Sequence, residues 1–137
     1  MEYTLIDKNS VGLASELIVA AKLIKCGYQV SLTLGHTKSV DIHASKDGIN
    51  YSIQVKGCQK NKGKSKSCSW RINKSDVLDY IIYVFVNLNM NIENSKEDSY
   101  IIEGKDLICL VSGSTPQEYV YSSKLAKYLE MWNLSMR

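Results

Sequence analysis

Hydrophobic residues recur at helical spacing near the start of the chain. They lie three and four positions apart and form one stripe, Leu13, Leu17, Ala20 and Ile24. This period predicts an amphipathic helix that ends near Cys26, with Asn9 or Ser10 as its N-terminal cap. Gly27 follows at the position where a residue in the left-handed conformation commonly ends a helix. We expect the helix to pack on a sheet.

Alternating polar and apolar residues then predict three strands, at 28–34, 40–44 and 51–56. An Asp-Gly pair at residues 47–48 separates the second strand from the third, and this pair is typical of a tight hairpin. In the third strand Gln54 and Lys56 share one face, because side chains alternate along a strand.

The second half of the chain predicts shorter elements around one long apolar run. The expected strands are 69–72, the buried central run 80–88 and 100–103. The expected helices are 76–79 (capped by Ser75), 105–111, for which a further strand is the alternative, and 122–132. This order predicts an α/β fold with one central mixed sheet. We expect a single domain over residues 1–137, with a core at about 10–90 and a C-terminal extension at 91–137.

Basic residues are concentrated in one segment. The chain has 17 Lys and Arg against 14 Asp and Glu, a net charge of +3. Residues 56–74 hold seven basic residues and no acidic one, which leaves ten basic and fourteen acidic residues elsewhere. We therefore expect an anionic partner at this segment, and nucleic acid in particular. The candidate contacts are Lys60, Lys62, Lys64, Lys66, Arg71 and Lys74.

The composition argues against several other classes of protein. Apolar residues at 45% and charged residues at 23% are typical of a globular chain and not of a disordered one. No apolar run reaches the roughly 18 residues that span a bilayer, and the N-terminal residues do not resemble a signal peptide. We expect a cytoplasmic protein without membrane contact. The four cysteines include no CxxC pair, so we expect reduced thiols and no disulfide framework.

Four polar residues are expected to meet at one edge of the sheet. Hairpin pairing would place Asp41 beside Gln54 and Lys56, and the packed helix would bring Glu16 over the same edge. Carboxylate and amide oxygens are hard ligands suited to Mg²⁺, and an adjacent lysine stabilises negative charge that develops on phosphorus. The pattern favours metal-assisted chemistry on a phosphate, although a hairpin with a solvated polar face would give the same pattern.

These residues resemble the motifs of the PD-(D/E)xK nuclease superfamily, which includes restriction endonucleases and Holliday-junction resolvases. The matching segments are Gly12-x-x-Ser15-Glu16, Gly27-Tyr28-x-Val30, Val40-Asp41-Ile42 and Ile53-Gln54-Val55-Lys56-Gly57. The superfamily motif normally has Asp or Glu where this chain has Gln54, and the resulting QxK triplet is similar to that of Mrr-like enzymes. The resemblance implies a restriction endonuclease-like αβββαβ core, a central mixed sheet flanked by helices.

The resemblance also implies roles for individual residues. Asp41 would be the main metal ligand, with Gln54, the Val55 carbonyl and Glu16 completing a site for Mg²⁺ or Mn²⁺. Lys56 would be the catalytic lysine that positions the attacking water. The implied catalytic set is therefore Glu16, Asp41, Gln54 and Lys56.

The function implied by the resemblance is a metal-dependent endonuclease that hydrolyses phosphodiester bonds in duplex or branched DNA. Small nucleases of this kind often dimerise to cut both strands, so a homodimer is a further expectation, although the sequence marks no interface for it. Two alternatives stay open. One is a catalytically weak or inactive nucleic-acid-binding module on the same fold, and the other is a protein-interaction domain.

Overall fold

Two α-helices and seven strands form the described part of the chain. The structure, a computed structural model, describes residues 5–33, 40–59, 68–90, 92, 96–111 and 117–136. The α-helices and strands are α1 (Lys8–Lys25), β1 (Gln29–Leu32), β2 (Ile42–Lys46), β3 (Ile49–Gln59), β4 (Ser69–Asn73), β5 (Ile82–Leu88), β6 (Asp98–Glu103), α2 (Gly104–Leu110) and β7 (Gln117–Tyr121). Short 3-10 helices lie at Lys74–Asp76, Ser122–Tyr128 and Leu134–Met136. No helix within these ranges has the length and apolar character needed to cross a bilayer.

Five strands form a central mixed sheet in the order β1-β2-β3-β5-β6. β3 and β5 run parallel, and the other neighbouring strands in this sheet run antiparallel. β4 and β7 pair with each other in a separate antiparallel ribbon. The predicted α/β fold, with a central mixed sheet flanked by helices, is confirmed.

The central sheet separates two hydrophobic layers. Ile82 and Val84 of β5 pack into the layer that contains α1, whereas Tyr83 and Phe85 pack into the layer that contains the ribbon and α2. Every residue of β5 is buried, as expected for a strand that is covered on both faces. The prediction of a buried central strand is confirmed, although β5 begins at Ile82 and not at residue 80.

Of the predicted stripe of α1, Ala20 packs on the sheet and the other three residues do not. Leu13, Leu17 and Ile24 are 55%, 50% and 58% exposed. The buried positions are Val11, Ser15, Val19, Ala20 and Leu23. Both sets recur at helical spacing, so the period alone does not distinguish them. The second set faces the sheet because Ser15 lies against Gly57 of β3, where an added Cβ would overlap the Ser15 hydroxyl.

Two predicted helices are wrong in type or position. In place of a helix at 76–79 there is a 3-10 helix at Lys74–Asp76, and the side chain of Asn73 caps it by accepting the Ser75 N–H. The segment predicted as a terminal helix is a 3-10 helix over Ser122–Tyr128. β7, which precedes it, was not predicted, because its five residues become a strand only by pairing with the distant β4.

Cys58 and Cys68 form a disulfide, so the expectation of reduced thiols is wrong for this pair. Their Cα atoms lie 6.3 Å apart, within the range that a disulfide spans. The bridge joins the end of β3 to the residue before β4. Cys26 and Cys109 are exposed and are not part of this disulfide. The spacing of the cysteines could not show this proximity, because it depends on where β3 and β4 lie in the fold.

Candidate active site

Gln54 and Lys56 of β3 line an open cleft of about 360 Å³. The other polar side chains around it come from the first turn of α1, from β4, from the 3-10 helix at 74–76 and from β5. They are Lys8, Arg71, Asn73, Asp76 and Tyr83. Three of the lining side chains are cationic and one is a carboxylate, so the cleft attracts anions.

Lys8 reaches this cleft because the segment before α1 is tied to the end of β3. The Ile6 N–H donates to Oε1 of Gln59 at 3.0 Å, and Nε2 of Gln59 donates to the Ile6 carbonyl at 2.7 Å. Sequence reasoning missed Lys8, because nothing in the local pattern distinguishes it from other exposed lysines. The contact that holds the chain just before Lys8 in place joins residues 53 positions apart.

Asp41 lies just before β2, where the pairing of β2 with β3 ends. Its N–H donates to the Ile53 carbonyl at 2.9 Å, and its Oδ2 accepts the Val55 N–H at 2.8 Å. The N–H and C=O of a strand residue point to the same side of the strand, so the Val55 carbonyl faces the same gap as Asp41. Asp41 is therefore bonded to the backbone between Gln54 and Lys56, in the neighbourhood that the hairpin predicted.

Glu16 lies on α1, which packs in the layer on the side of the sheet opposite the ribbon. It is half-buried on α1, next to Ser15, whose Oγ donates to the Val11 carbonyl at 2.7 Å. Ser15 in turn lies against Gly57, the residue after Lys56. This contact places Ser15, the neighbour of Glu16, against β3 near Lys56, and the role of Glu16 as a helical acid stays a prediction.

Tyr83 fixes the wall of the cleft beside Gln54, its partner in the β3–β5 register. Its hydroxyl accepts the Leu78 N–H at 2.9 Å and lies within 3.5 Å of the Asp76 carbonyl. Burial raises the pKa of the Tyr83 phenol above its ordinary value. The hydroxyl is therefore neutral at physiological pH and holds the segment around Asp76 against β5.

The donor set around Asp41 contains few carboxylates. Within the described ranges, no three His, Cys, Asp or Glu side chains cluster closely enough to hold a metal ion. Mg²⁺ can be held by one or two protein carboxylates when waters and substrate phosphates supply the remaining oxygens. The Asp41 carboxylate and the adjacent Val55 carbonyl fit that minimal requirement, and Gln54, the residue before Val55, carries a further amide oxygen.

The predicted nucleic-acid contacts fall into three groups. Four of the lysines lie outside the described residues, in the segment that follows β3 in the sequence; they are Lys60, Lys62, Lys64 and Lys66. Arg71 is exposed on β4 and lines the cleft. The Nζ of Lys74 is buried and has no hydrogen-bond partner within the described part of the chain, so its placement does not support a phosphate contact.

A solved structure of a bacterial homing endonuclease, I-Ssp6803I, is similar to this chain. The TM-score is 0.64 at 16% sequence identity, over 96% of this chain and 94% of that chain. No protein-family model matches the sequence, and no curated protein matches it either. The similarity shows a shared fold, so the chain has the mixed α/β architecture of a known nuclease structure.

Proposed function

We propose that this protein is a metal-dependent endonuclease that hydrolyses phosphodiester bonds in DNA. The observation that carries the proposal is the hydrogen bond from the Val55 N–H to Oδ2 of Asp41 at 2.8 Å. It fixes the aspartate at the centre of the QxK triplet, whose Gln54 and Lys56 line a cationic cleft. The fold shared with a homing endonuclease adds support for DNA as the substrate.

Asp41, the Val55 carbonyl and Gln54 would hold Mg²⁺ or Mn²⁺, with Glu16 acting directly or through water. A bound ion of this kind polarises a phosphate and lowers the pKa of a water molecule. The Val55 N–H holds Asp41 in one orientation, because a carboxylate that accepts a backbone hydrogen bond cannot rotate freely.

Lys56 has two tasks in the proposed reaction. Its ammonium group orients the attacking water, and it stabilises the negative charge that develops on the phosphate oxygens. Lys8, on another wall of the cleft, would bind a flanking phosphate, and Arg71 would contact the DNA beside it. The lysines that follow β3 in the sequence (Lys60, Lys62, Lys64 and Lys66) would extend these contacts along duplex or branched DNA, and a homodimer would allow both strands to be cut.

Cleavage of DNA tests the proposal directly. Full-length protein is incubated with plasmid and with branched duplexes in Mg²⁺, Mn²⁺ or EDTA. We expect metal-dependent cleavage that Asp41→Asn and Lys56→Ala each reduce by about 100-fold or more. Asp41→Asn keeps an oxygen that can accept the Val55 N–H, so it removes mainly the charge.

Asp47→Asn is the matched control, because Asp47 lies in the turn at the far end of the same hairpin. Its backbone φ is +53°, a conformation that asparagine also tolerates, and we expect unchanged cleavage. Intact DNA with both metals, together with unchanged Mn²⁺ and DNA binding in Asp41→Asn, would exclude the proposed activity.

A second candidate function is a nucleic-acid-binding module without catalysis. It is favoured by Gln54 and by the lack of a three-residue acidic or metal-ligating cluster among the described side chains. Such a module would bind DNA equally well in EDTA and would not respond to Asp41→Asn. Its affinity would fall steeply with salt, because cations of the cleft and loop replace counterions on the phosphates. A gain of metal affinity in Gln54→Glu would instead support a ligand role for this position.

A further inference from the structure

The ribbon of β4 and β7 presents two different faces. Its inner face carries Trp70, Ile72 and Val120, which are buried in the second hydrophobic layer. Its outer face carries the alternate residues, and in the antiparallel register Arg71 is opposite Tyr119 and Ser69 is opposite Tyr121. The two tyrosines are 51% and 46% exposed, although tyrosine rings are usually more buried than this.

The inner face holds the ribbon firmly on the domain. The Trp70 ring lies 5.2 Å from the ring of Phe85 and 6.0 Å from that of Tyr100, measured between centroids. The Ser122 N–H donates to the Cys68 carbonyl at 3.0 Å and closes one end of the ribbon. The outer side chains therefore project from a backbone that is fixed before any partner binds, which lowers the entropic cost of recognition.

The outer face of the ribbon offers a cation and hydrogen-bonding groups. No carboxylate of β4 or β7 lies opposite the cation in the register. Glu118, the acidic residue of β7, is paired with Lys124 at 3.5 Å. Arg71 has no ion-pair partner among the residues that the structure describes. The Asn73 Oδ1 already accepts hydrogen bonds from Ser75, so Arg71 is the side chain on β4 that can offer two parallel donors.

We propose that this ribbon enters the major groove of duplex DNA, where Arg71 reads a guanine and Tyr119 contacts a neighbouring base. The proposal rests on the proposed function, because it names how the same protein would select its DNA. A two-stranded ribbon fits the major groove, which is about 12 Å wide, and Arg donating two bonds to guanine is the commonest specific contact there. Arg71 also lines the cleft of Lys56, so the bases that are read would lie next to the phosphate that reacts.

Selection from randomised duplex DNA tests the proposal. Full-length protein is mixed with the duplex library in EDTA, so the result does not depend on cleavage, and bound duplexes are sequenced for each variant. Arg71→Lys keeps the charge but loses the bidentate geometry. Tyr119→Phe removes only the hydroxyl. Lys25→Ala is the control, because Lys25 ends α1, which packs in the layer on the other side of the sheet.

We expect the wild-type protein to enrich duplexes that share one sequence. One guanine in that sequence should be required for the enrichment. Arg71→Lys should reduce discrimination at that base pair by about tenfold or more and change affinity for random duplex by less than about twofold. Tyr119→Phe should alter the preference at an adjacent position, and Lys25→Ala should leave the selected sequence unchanged.

Three results would overturn the proposal. The first is that no sequence is enriched, and the second is that Arg71→Lys and Tyr119→Phe select the same sequence as the wild type. The third is tighter binding to single strands that is lost in Tyr119→Ala, which would make the ribbon a platform for base stacking. Each of these can occur in a protein that cleaves DNA, and a protein that does not cleave can still show the expected selection. The two proposals therefore fail separately.

Discussion

β3 and β5 are parallel neighbours in the sheet, yet their facing residues have opposite properties. In the register, Gln54 is beside Tyr83 and Lys56 is beside Phe85. Tyr83 and Phe85 are fully buried under the ribbon and α2, whereas Gln54 and Lys56 are half-buried and line the cleft. The same sheet face is thus hydrophobic core on one strand and candidate active site on the next.

The polar side chains of β3 are held in place at the margin of the hydrophobic core. β5 is buried on both faces, so its position is fixed by packing from both layers. β3 is hydrogen-bonded to it over seven residue pairs and takes its position from it. The ribbon covers β5 but stops beside β3, where the side chains become polar. Lys56 is therefore accessible, although the strand that carries it is firmly held.

The largest expected loss of stability comes from removing the buried side chain of β5 that is paired with Lys56. We expect Phe85→Ala to lower the free energy of unfolding by about 3–5 kcal/mol, because it deletes a fully buried ring in contact with Trp70. Lys56→Ala, at the paired position, should change stability by less than about 1 kcal/mol. Urea unfolding of both variants, followed by far-ultraviolet circular dichroism, gives the two values. Equal losses of unfolding free energy in the two variants would contradict the difference in packing between β3 and β5.

An intermediate loss of stability is expected when the disulfide that joins β3 to the ribbon is reduced. Reduction of the Cys58–Cys68 bridge should lower the free energy of unfolding by about 2–3 kcal/mol, because the unfolded chain regains the freedom of a short loop. Urea unfolding with and without a phosphine reductant measures it. The Cys26→Ser/Cys109→Ser variant should keep the sensitivity to reductant, and Cys58→Ser/Cys68→Ser should lose it. A wild-type protein that is indifferent to reductant would contradict the role of this bridge.

The smallest expected effect concerns the contact between α1 and β3. Gly57→Ala should destabilise the fold by about 1–3 kcal/mol, since the new Cβ overlaps the Ser15 hydroxyl. Gly12→Ala is the matched control on the helix, because no heavy atom lies within 4 Å of its added Cβ. Alanine there should stabilise the helix by about 0.5–1 kcal/mol. Thermal unfolding distinguishes the two, and a neutral Gly57→Ala would mean that α1 does not depend on this close approach.

Local patterns were sufficient for much of the sheet and for the centre of the site. The Asp-Gly turn and the alternation around Gln54 predicted the β2–β3 hairpin, and pairing across it places Asp41 against the backbone of Val55. The unbroken apolar run predicted β5 as a buried strand. These features follow from interactions between residues that are close in sequence, or from composition that fits one environment only.

Other parts of the site could not be predicted, because they depend on contacts between distant segments. Lys8 lines the cleft at the start of α1, next to the bonds between Ile6 and Gln59, and β7 forms by pairing with the distant β4. No spacing in the sequence marks these approaches.

The sequence by itself determined the polar face of β3, the hairpin that presents it and the basic segment that follows. The tertiary structure alone decided which apolar face of α1 is buried, which cysteines meet and which cations surround Lys56. The physical reason is that hydrophobic periodicity shows that one face of a helix or strand can be buried. It does not show which other segment packs against that face. That choice depends on the summed packing of the whole chain, as at Gly57, where the absence of one side chain lets Ser15 approach.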